Sequence, residues 1–429
     1  MRILFLSRWF PYPPDNGSKI RIFNILRQLS QLHEVGLVSF RDSNDRAGTG
    51  SQLALREHCS VVRSVPLQSF RPASAKALLG LFSRQPRYMV DTYSEEMLGV
   101  VMAELRRQEY DLVVASELNM VPYALAVPGI PALLDEIELA VFADATQKGA
   151  PLRRLRGLLT WWKLAAYLRR ALPRFAACTV VSEEERELLR RAAPAYADVA
   201  VIPNAVDASS YDGHFAPPQP NTLVFSGALT YSANYDAMRY FLKEIYPAII
   251  RATPDVQLRV TGDHTGVDLA SLGRHQGVQY TGYVADVRPV VAQSWASVVP
   301  LRLGGGTRLK ILESLALGTP VVATAKGAEG LAVTDGENIL IAPDPASFAG
   351  RVTALLRSRE LRERLAASGR DLVSSRYDWR VIGKELCALV EEVAARRRPG
   401  EAGRTSRREA RRTPGDGREG TAGDTFLPA

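Results

Sequence analysis

Short apolar runs alternate with longer amphipathic stretches through the first half of the chain. The stretch at 18–31 is amphipathic at helical spacing, with Ile22, Ile25, Leu26 and Leu29 on one face. Buried strands are predicted at 2–7, 34–40, 61–67, 112–116, 132–135 and 178–182. Strands that alternate with helices in this way predict a parallel sheet that is covered on both faces.

A second series of the same kind occupies the next part of the chain. Its predicted strands lie at 223–227, 257–262, 278–282, 296–301 and 320–323, and its main helices lie near 233–251 and 308–317. Two domains of about 150–200 residues each fit a chain of 429 residues. We predict an α/β fold of two doubly wound, Rossmann-like domains that face each other across a cleft at the carboxyl ends of their sheets.

The predicted boundaries follow from where the two series begin and end. The first domain is expected at 1–205, the second at 206–375 and a last helical segment at 376–396. The tail, 397–429, contains much Gly, Pro and Arg and few apolar residues, so it is predicted to be disordered.

Composition removes several classes of protein. Hydrophobic residues make up 46% of the chain and charged residues 23%, as in ordinary globular proteins. The three cysteines lie far apart and form no CxxC pair, so neither a disulfide framework nor a zinc site is expected. A net charge of +8 raises the question of nucleic-acid binding, but no nucleic-acid-binding motif accompanies it, and we expect no such partner.

The richest candidate for chemistry is the segment LGGGTRLKILESLALGTPVVATA, which begins at Leu303. Three glycines follow a predicted strand, and Thr307 is a suitable N-cap for the helix that comes next. Amides of the loop and the helix dipole together favour an anion, and Arg308 and Lys310 add two positive charges. Glu313 lies about one turn beyond Lys310 on the same face and can accept hydrogen bonds from two vicinal hydroxyls.

These features together predict a pocket for a nucleotide diphosphate, because the anion site would hold the phosphates and the carboxylate would hold the ribose. The alternative is a surface helix with a glycine-rich entry and a solvated charged face. Three glycines alone would not distinguish the two, but the complete string favours the pocket.

This segment and several others resemble parts of a known family. GGGTRLKILESLALGTPVVAT is similar to the donor-binding segment of the retaining GT-B glycosyltransferases called group 1, or family 4. VVSEEER (180–186), VIPNAVD (201–207) and GYVADVRPVVAQS (282–294) resemble other landmarks of that family in the same order. PYPPDNGSKIR (11–21) resembles the N-terminal glycine loop of its bacterial exopolysaccharide-type members.

The resemblance implies roles for particular residues. Glu313 matches the second glutamate of the family's E-x7-E motif, which holds the donor ribose. The other implied donor contacts are Gly306, Thr307, Leu309, Gly227 and Gly17 around the diphosphate, and Tyr283 and Val284 beside the nucleobase. The last helix is expected to return to the first domain, as it does in GT-B proteins.

Three departures from the family pattern matter. The first glutamate of E-x7-E is replaced by Gly305, and no Arg/Lys pair follows the first strand of the second domain. We therefore expect Arg308 and Lys310 to stabilise the charge that grows on the leaving diphosphate. A histidine expected after the fifth strand is also missing, and Glu138 is a candidate catalytic carboxylate there, or simply a carboxylate at a helix start.

The resulting prediction is a retaining glycosyltransferase that moves a hexose-type sugar from a nucleotide-diphosphate sugar to a glycan or lipid-linked acceptor. Cell-surface polysaccharide or glycolipid synthesis is the expected context. No D-x-D motif occurs, so we expect neither a metal nor another cofactor. Another GT-B enzyme, such as a sugar-nucleotide epimerase, and an inactive binding protein of this fold remain alternatives.

One helical segment is relevant to where the protein is found in the cell. Residues 151–174 are basic and amphipathic, with Trp161 and Trp162 adjacent, as in helices that lie on anionic membranes. The same pattern also fits a helix packed on the sheet with its arginines in water. No apolar run is long enough to span a bilayer, and we expect a cytoplasmic protein, either free or peripheral on the inner face of the membrane.

Overall fold

The computed structural model describes residues 1–42, 49–147, 150–304 and 308–396, and the predicted disordered tail at 397–429 lies outside them. The first sheet has seven parallel strands in the order β3-β2-β1-β4-β5-β6-β7. They are β1 (Arg2–Ser7), β2 (Glu34–Arg41), β3 (Val61–Pro66), β4 (Leu112–Ser116), β5 (Ala132–Asp135), β6 (Ala177–Val180) and β7 (Val199–Val201).

Helices connect these strands and cover both faces of the sheet. They are α1 (Gly17–Leu29), α2 (Thr49–Arg56), α3 (Ala75–Leu79), α4 (Arg87–Asp91), α5 (Glu95–Arg107), α6 (Val121–Ala126), α7 (Ala140–Gln147), α8 (Pro151–Ala171) and α9 (Glu183–Ala192). Every residue of β1 after Arg2 is buried, which is why a parallel strand appears in the sequence as a continuous apolar run.

The second sheet has six parallel strands in the order β10-β9-β8-β11-β12-β13. They are β8 (Thr222–Ser226), β9 (Gln257–Thr261), β10 (Val278–Gly282), β11 (Ala296–Val299), β12 (Val321–Thr324) and β13 (Leu340–Ala342). The helices are α10 (Ser232–Tyr240), α11 (Tyr246–Ala252), α12 (Arg288–Ala292), α13 (Leu309–Ala316), α14 (Ala325–Ala328), α15 (Pro345–Arg357), α16 (Arg359–Arg376) and α17 (Trp379–Ala395).

The predicted fold class is confirmed, since both halves are doubly wound α/β units with parallel sheets. One detail differs from the sequence expectation. The predicted helix at 233–251 is interrupted, because a π-helical turn at Phe241–Ile245 separates α10 from α11. Pro247 follows the π-helical turn, in the first turn of α11, and because it has no N–H it cannot donate a hydrogen bond back to that turn.

The last helix packs against the first domain. Trp379, Ile382 and Leu386 of α17 share a buried cluster with Ile22 and Ile25 of α1. The chain therefore crosses between the two domains twice, once near residue 206 and again near residue 378, where Trp379 N donates to Val206 O at 3.0 Å. The paired crossings hold the carboxyl ends of the two sheets toward each other.

A buried ion pair supports the first domain beneath the cleft. The guanidinium of Arg21 is fully buried and donates to both carboxylate oxygens of Asp135, at 2.7 and 3.2 Å. It also donates to the carbonyl of Ile202 and to Asn204 Oδ1, both at 3.0 Å. Arg21 thus ties α1 to the ends of β5 and β7.

Candidate donor site at the cleft

The amine of Lys310 reaches from α13 to the loop that follows β8. Its Nζ donates to Asn234 Oδ1 at 2.8 Å and lies 4.4 Å from the centre of the Phe225 ring. Gly227 opens that loop with a φ of +152°, and a Cβ on it would stand 2.7 Å from Lys310 Nζ. Glycine at this position therefore allows both the backbone conformation and the approach of the amine.

Burial changes the protonation of this lysine. Loss of solvent, and then the nearby charge of Arg308, lowers the pKa of Lys310 to about 7, while Glu313 opposes the shift. Near neutral pH the amine is therefore divided between its charged and uncharged forms. An incoming anion would favour the charged form and draw a proton onto the amine.

Glu313 lies on the same helix, one turn further on. Its Oε1 accepts a hydrogen bond of 3.2 Å from the hydroxyl of Tyr211, which lies in the segment between the domains. Burial raises the pKa of Glu313 to about 7, and the Tyr211 hydroxyl and Lys310 counteract the rise. Tyr211 was not among the predicted site residues, because nothing in its local sequence indicates a contact with a residue about a hundred positions away.

Arg308 stands immediately before α13. The helix begins at Leu309 with Arg308 as its N-cap residue, so the predicted start near Thr307 is one or two residues early. Gly306 and Thr307 lie outside the described residues. Arg308 is 7% exposed, donates from Nη2 to Gly304 O at 2.7 Å and lies 3.8 Å from a carboxylate oxygen of Glu329.

The two domains approach closely at this point. A Cβ on Gly17, the first residue of α1, would lie 3.7 Å from Leu309 Cδ1. Lys326, just after β12, forms an ion pair of 3.2 Å with Asp144 of α7. The predicted residues Gly17, Leu309 and Lys310 are thus brought to one narrow part of the cleft.

Tyr283 and Val284 follow β10, which is the edge strand of the second sheet, two strands away from β8. Tyr283 is 54% exposed. This position lies at the same carboxyl edge as Gly227 but to one side of it. An elongated ligand whose charged part lay over Gly227 would have its other end near Tyr283.

Glu138 lies on the opposite wall, where it precedes α7 and lines a cavity of about 400 Å³. Burial raises the pKa of Glu138, and the charges of Arg21 and of Arg308 in the other domain lower it. The adjacent backbone is held in place because the Glu185 carboxylate accepts from Leu139 N at 2.6 Å and from Ala140 N at 3.1 Å. Glu138 and Arg308 therefore interact across the cleft.

Two family models match most of this chain. The model described as glycosyl transferases group 1 matches residues 220–358, and the glycosyl transferase 4-like domain matches residues 16–205. A phosphatidyl-myo-inositol mannosyltransferase from Mycobacterium leprae is 29% identical over 265 residues, which are 60% of this chain and 67% of that protein. A glycogen synthase from Mycobacterium tuberculosis is 28% identical over 203 residues, 44% of this chain and 47% of its own length.

A solved structure shares the fold. The structure of HepE from Anabaena, in complex with UDP and glucose, has a TM-score of 0.62 at 16% sequence identity and covers 91% of this chain and 100% of its own. This likeness and the matches to both halves define the class of protein as a glycosyltransferase enzyme with the GT-B fold. Within that class, the chain belongs to the group 1 glycosyltransferases.

Proposed function

We propose that this enzyme moves a hexose-type sugar from a nucleotide-diphosphate sugar to a glycan or lipid-linked acceptor, with retention of configuration at the anomeric carbon. The transfer would serve the synthesis of a cell-surface polysaccharide or glycolipid. The names of similar proteins support this class of reaction, since one is a phosphatidyl-myo-inositol mannosyltransferase and another binds UDP and glucose.

One observation carries the proposal, which is the position of the Lys310 amine beside Gly227, in the loop that follows β8. Lys310 and Glu313 project from one helix, so a phosphate at the amine would bring an attached ribose toward the carboxylate. A buried lysine amine whose hydrogen bond goes to a neutral amide oxygen fits a diphosphate better than it fits a structural ion pair.

These residues would contribute to the reaction by stabilising charge. When the bond between the sugar and the diphosphate breaks, negative charge develops on the diphosphate oxygen, and Lys310 and Arg308 would stabilise it. The acceptor hydroxyl loses its proton to the leaving diphosphate as the new bond forms on the same face of the sugar. Protein cations would supply the charge that a divalent metal provides elsewhere, and we propose no metal and no other cofactor.

The proposal is tested first by binding. Thermal unfolding would be followed with UDP, GDP, ADP, CMP and dTDP, each with and without EDTA, because a ligand that binds only the folded state raises the midpoint. We expect one diphosphate to stabilise the chain regardless of EDTA, and Lys310→Ala and Arg308→Ala to abolish sugar transfer. If both variants keep near-normal turnover, these residues do not contact the diphosphate. If the nucleotide sugar is consumed without an acceptor, an epimerase-type reaction replaces transfer.

Contact with a membrane is a second part of the proposal, and the exposed face of α8 supports it. Leu152 is 79% exposed, Leu155 64% and Trp162 65%. Lys163 Nζ donates to Leu81 O at 2.6 Å and so holds the neighbouring loop, in which Phe82 is 90% exposed, beside this helix. No helix in the described part of the chain has the length and apolar composition needed to cross a bilayer.

Exposed apolar side chains next to arginines such as Arg156 suit the surface of an anionic bilayer. We therefore propose a cytoplasmic enzyme that binds peripherally to the inner membrane face. Flotation with vesicles that contain about a third anionic lipid should recover the wild type, and Trp162→Ser and Phe82→Ser should reduce recovery. Leu53→Ser, an equally exposed apolar residue of α2, is the matched control. Equal recovery of all variants would contradict the proposed contact.

A further inference from the structure

A group of carboxylates on the first-domain side of the cleft is not used by the proposed donor site. It lines the same cavity of about 400 Å³ that contains Glu138, at the carboxyl ends of β1, β4 and β5. The groups that matter are three carboxylates, one cation and two aromatic rings, namely Glu117, Glu136, Glu138, Arg8, Tyr88 and Phe142.

Two of these carboxylates stand on unfavourable backbone. Glu117 has a φ of +70° and a ψ of 158°, a region that almost only glycine adopts, and Glu136 has a φ of +59°. Each follows directly after the last residue of a strand. Among the described residues, Asn221 is the only other non-glycine with positive φ, and it lies outside the cavity. Such conformations persist where the side chain is needed for a ligand or for strong contacts.

The contacts of Glu117 leave it at the wall of the cavity. Its Oε1 accepts a 2.7 Å hydrogen bond from Trp9 Nε1, and Arg8 Nε lies 4.0 Å from its Oε2. These contacts orient the carboxylate while it still lines the cavity. A glycine could adopt the same backbone without strain, so a glutamate here indicates a use for its side chain.

Glu136 provides an independent observation. It is 5% exposed, and its Oε2 has no hydrogen-bond partner among the described residues, the nearest cation being Arg21 Nε at 3.9 Å. A buried acceptor without a donor is costly unless a ligand supplies one. The terminal torsion of a glutamate turns easily, so this oxygen can be directed to a ligand in the cavity.

The remaining walls fit a sugar ring. The rings of Tyr88 and Phe142 are stacked, with centres 5.9 Å apart and planes at 21°, and they form an apolar surface next to the carboxylates. A hexose ring offers hydroxyl donors to carboxylates and C–H groups to an aromatic surface. A phosphate in the same space would meet three carboxyl groups and only one cation.

We propose that Glu117 and Glu136 bind an uncharged sugar ring of the acceptor in this cavity, against the wall formed by Tyr88 and Phe142. The inference rests on the proposed transfer function, because it names the acceptor class for that reaction. The bound ring would lie beside Glu138, which interacts with Arg308 across the cleft, and its hydroxyl would be directed toward the donor. Burial raises the pKa of Glu136, the charge of Arg21 opposes the rise and the neighbouring carboxylates add to it, so its carboxyl group can serve hydroxyls as both donor and acceptor.

The test compares uncharged and charged probes on the full chain. Saturation-transfer NMR titrations would be run with saturating inorganic pyrophosphate, which would occupy the proposed phosphate site at Lys310 and Arg308. The probes would be the methyl α-glycosides of glucose, mannose and galactose, with glucose 6-phosphate and mannose 6-phosphate as charged counterparts. We expect at least one neutral glycoside to bind about tenfold more tightly than either phosphate. No variant is needed for this comparison.

Variants distinguish the effect of losing a carboxylate side chain from the effect of relieving backbone strain. Glu117→Gly should weaken the neutral glycoside at least about tenfold while stability is retained or raised, because the carboxylate is lost and the strain is relieved. Glu136→Gln should weaken binding in the same direction. Asn221→Gly relieves the remaining positive φ of a non-glycine residue outside the cavity, and it should leave sugar binding unchanged.

The outcomes distinguish this inference from the donor proposal. If a nucleoside diphosphate stabilises the chain but no neutral glycoside binds, the acceptor-site inference is wrong and the donor site stands. The inference is also wrong if sugar phosphates bind as well as neutral glycosides, or if Glu117→Gly binds like the wild type. If neutral glycosides bind through Glu117 but no nucleotide does, the donor proposal fails instead.

Discussion

Replacement of Lys310 by methionine tests the donor site most directly, because stability and binding should change in opposite directions. Methionine has a similar length and no charge. The amine of Lys310 has lost most of its solvent, and among the described residues its one hydrogen-bond acceptor is Asn234 Oδ1. Burial lowers its pKa from an ordinary value of 10.5 to about 7. Because burial disfavours the charged form that this amine prefers in water, keeping it in the folded protein costs free energy.

The magnitude follows from the two pKa values. Each unit corresponds to about 1.4 kcal/mol, so the penalty at pH 7 would be about 4 kcal/mol for a group with no solvent contact. Because solvent reaches part of the side chain, we expect Lys310→Met to raise the free energy of unfolding by about 2 to 4 kcal/mol. The folded pKa lies below the unfolded one, so this gain is complete below pH 7 and disappears as the pH rises toward 10.5.

The affinity for the nucleoside diphosphate should fall in the same variant. A hydrogen bond to a charged group contributes about 1.5–3 kcal/mol, so the variant should bind its nucleoside diphosphate roughly ten- to a hundredfold more weakly. Calorimetric titration and urea unfolding would measure the two effects on the same sample. Lys243→Met is the matched control, since Lys243 is an exposed lysine of the same domain and should change neither quantity.

Two results would refute this reasoning. Undiminished diphosphate affinity in Lys310→Met would mean that the amine does not meet the phosphates. A large loss of stability would mean that Lys310 supports the fold, and its contacts with Asn234 and Phe225 would then be structural.

Three further predictions concern other parts of the molecule. Glu313→Gln should weaken nucleoside diphosphates but not inorganic pyrophosphate, which has no ribose. In the wild type, calorimetry should show the ratio of nucleotide affinity to pyrophosphate affinity falling as the pH drops through about 7, because only the ribose needs the ionised carboxylate, whereas protonation of Lys310 affects both ligands. Gly227→Ala should reduce nucleotide affinity in the same titration, since the added Cβ would stand 2.7 Å from Lys310 Nζ, and unchanged affinity would contradict that crowding. Arg21→Met should cost about 3–5 kcal/mol in urea unfolding, because the charge of Asp135 would remain buried without its compensating cation, and a near-neutral effect would show that the pair does not support the domain.

The fold class could be predicted because its determinants are local. The central strands β1, β4 and β5 are runs of four or five buried residues, and the helices between the strands show one apolar face. The strands β7 and β13 were not predicted, since three residues at the edge of a sheet carry too little pattern. The break between α10 and α11 was missed because a π-helical turn changes hydrogen bonds without changing the apolar face.

The donor site was predictable only as far as one helix extends. The spacing of Lys310 and Glu313 places both on one face of α13, and that much follows from helical geometry. Their roles stay predictions, as do those of the other site residues. The hydrogen-bond partners Asn234 and Tyr211 come from separate elements, so no local pattern could indicate them.

The sequence by itself determined the two α/β domains, the glycine-rich segment and the placement of Lys310 and Glu313 on one helix, because each depends on residues near one another in the chain. Only the tertiary structure decided which groups lie together in the cleft. It brought the Lys310 amine to Gly227 and placed Arg308 across the cleft from Glu138. It also placed Glu117 and Glu136 on strained backbone around one cavity. These properties depend on burial and on contacts between distant segments, which set pKa values and backbone strain and which no local pattern encodes.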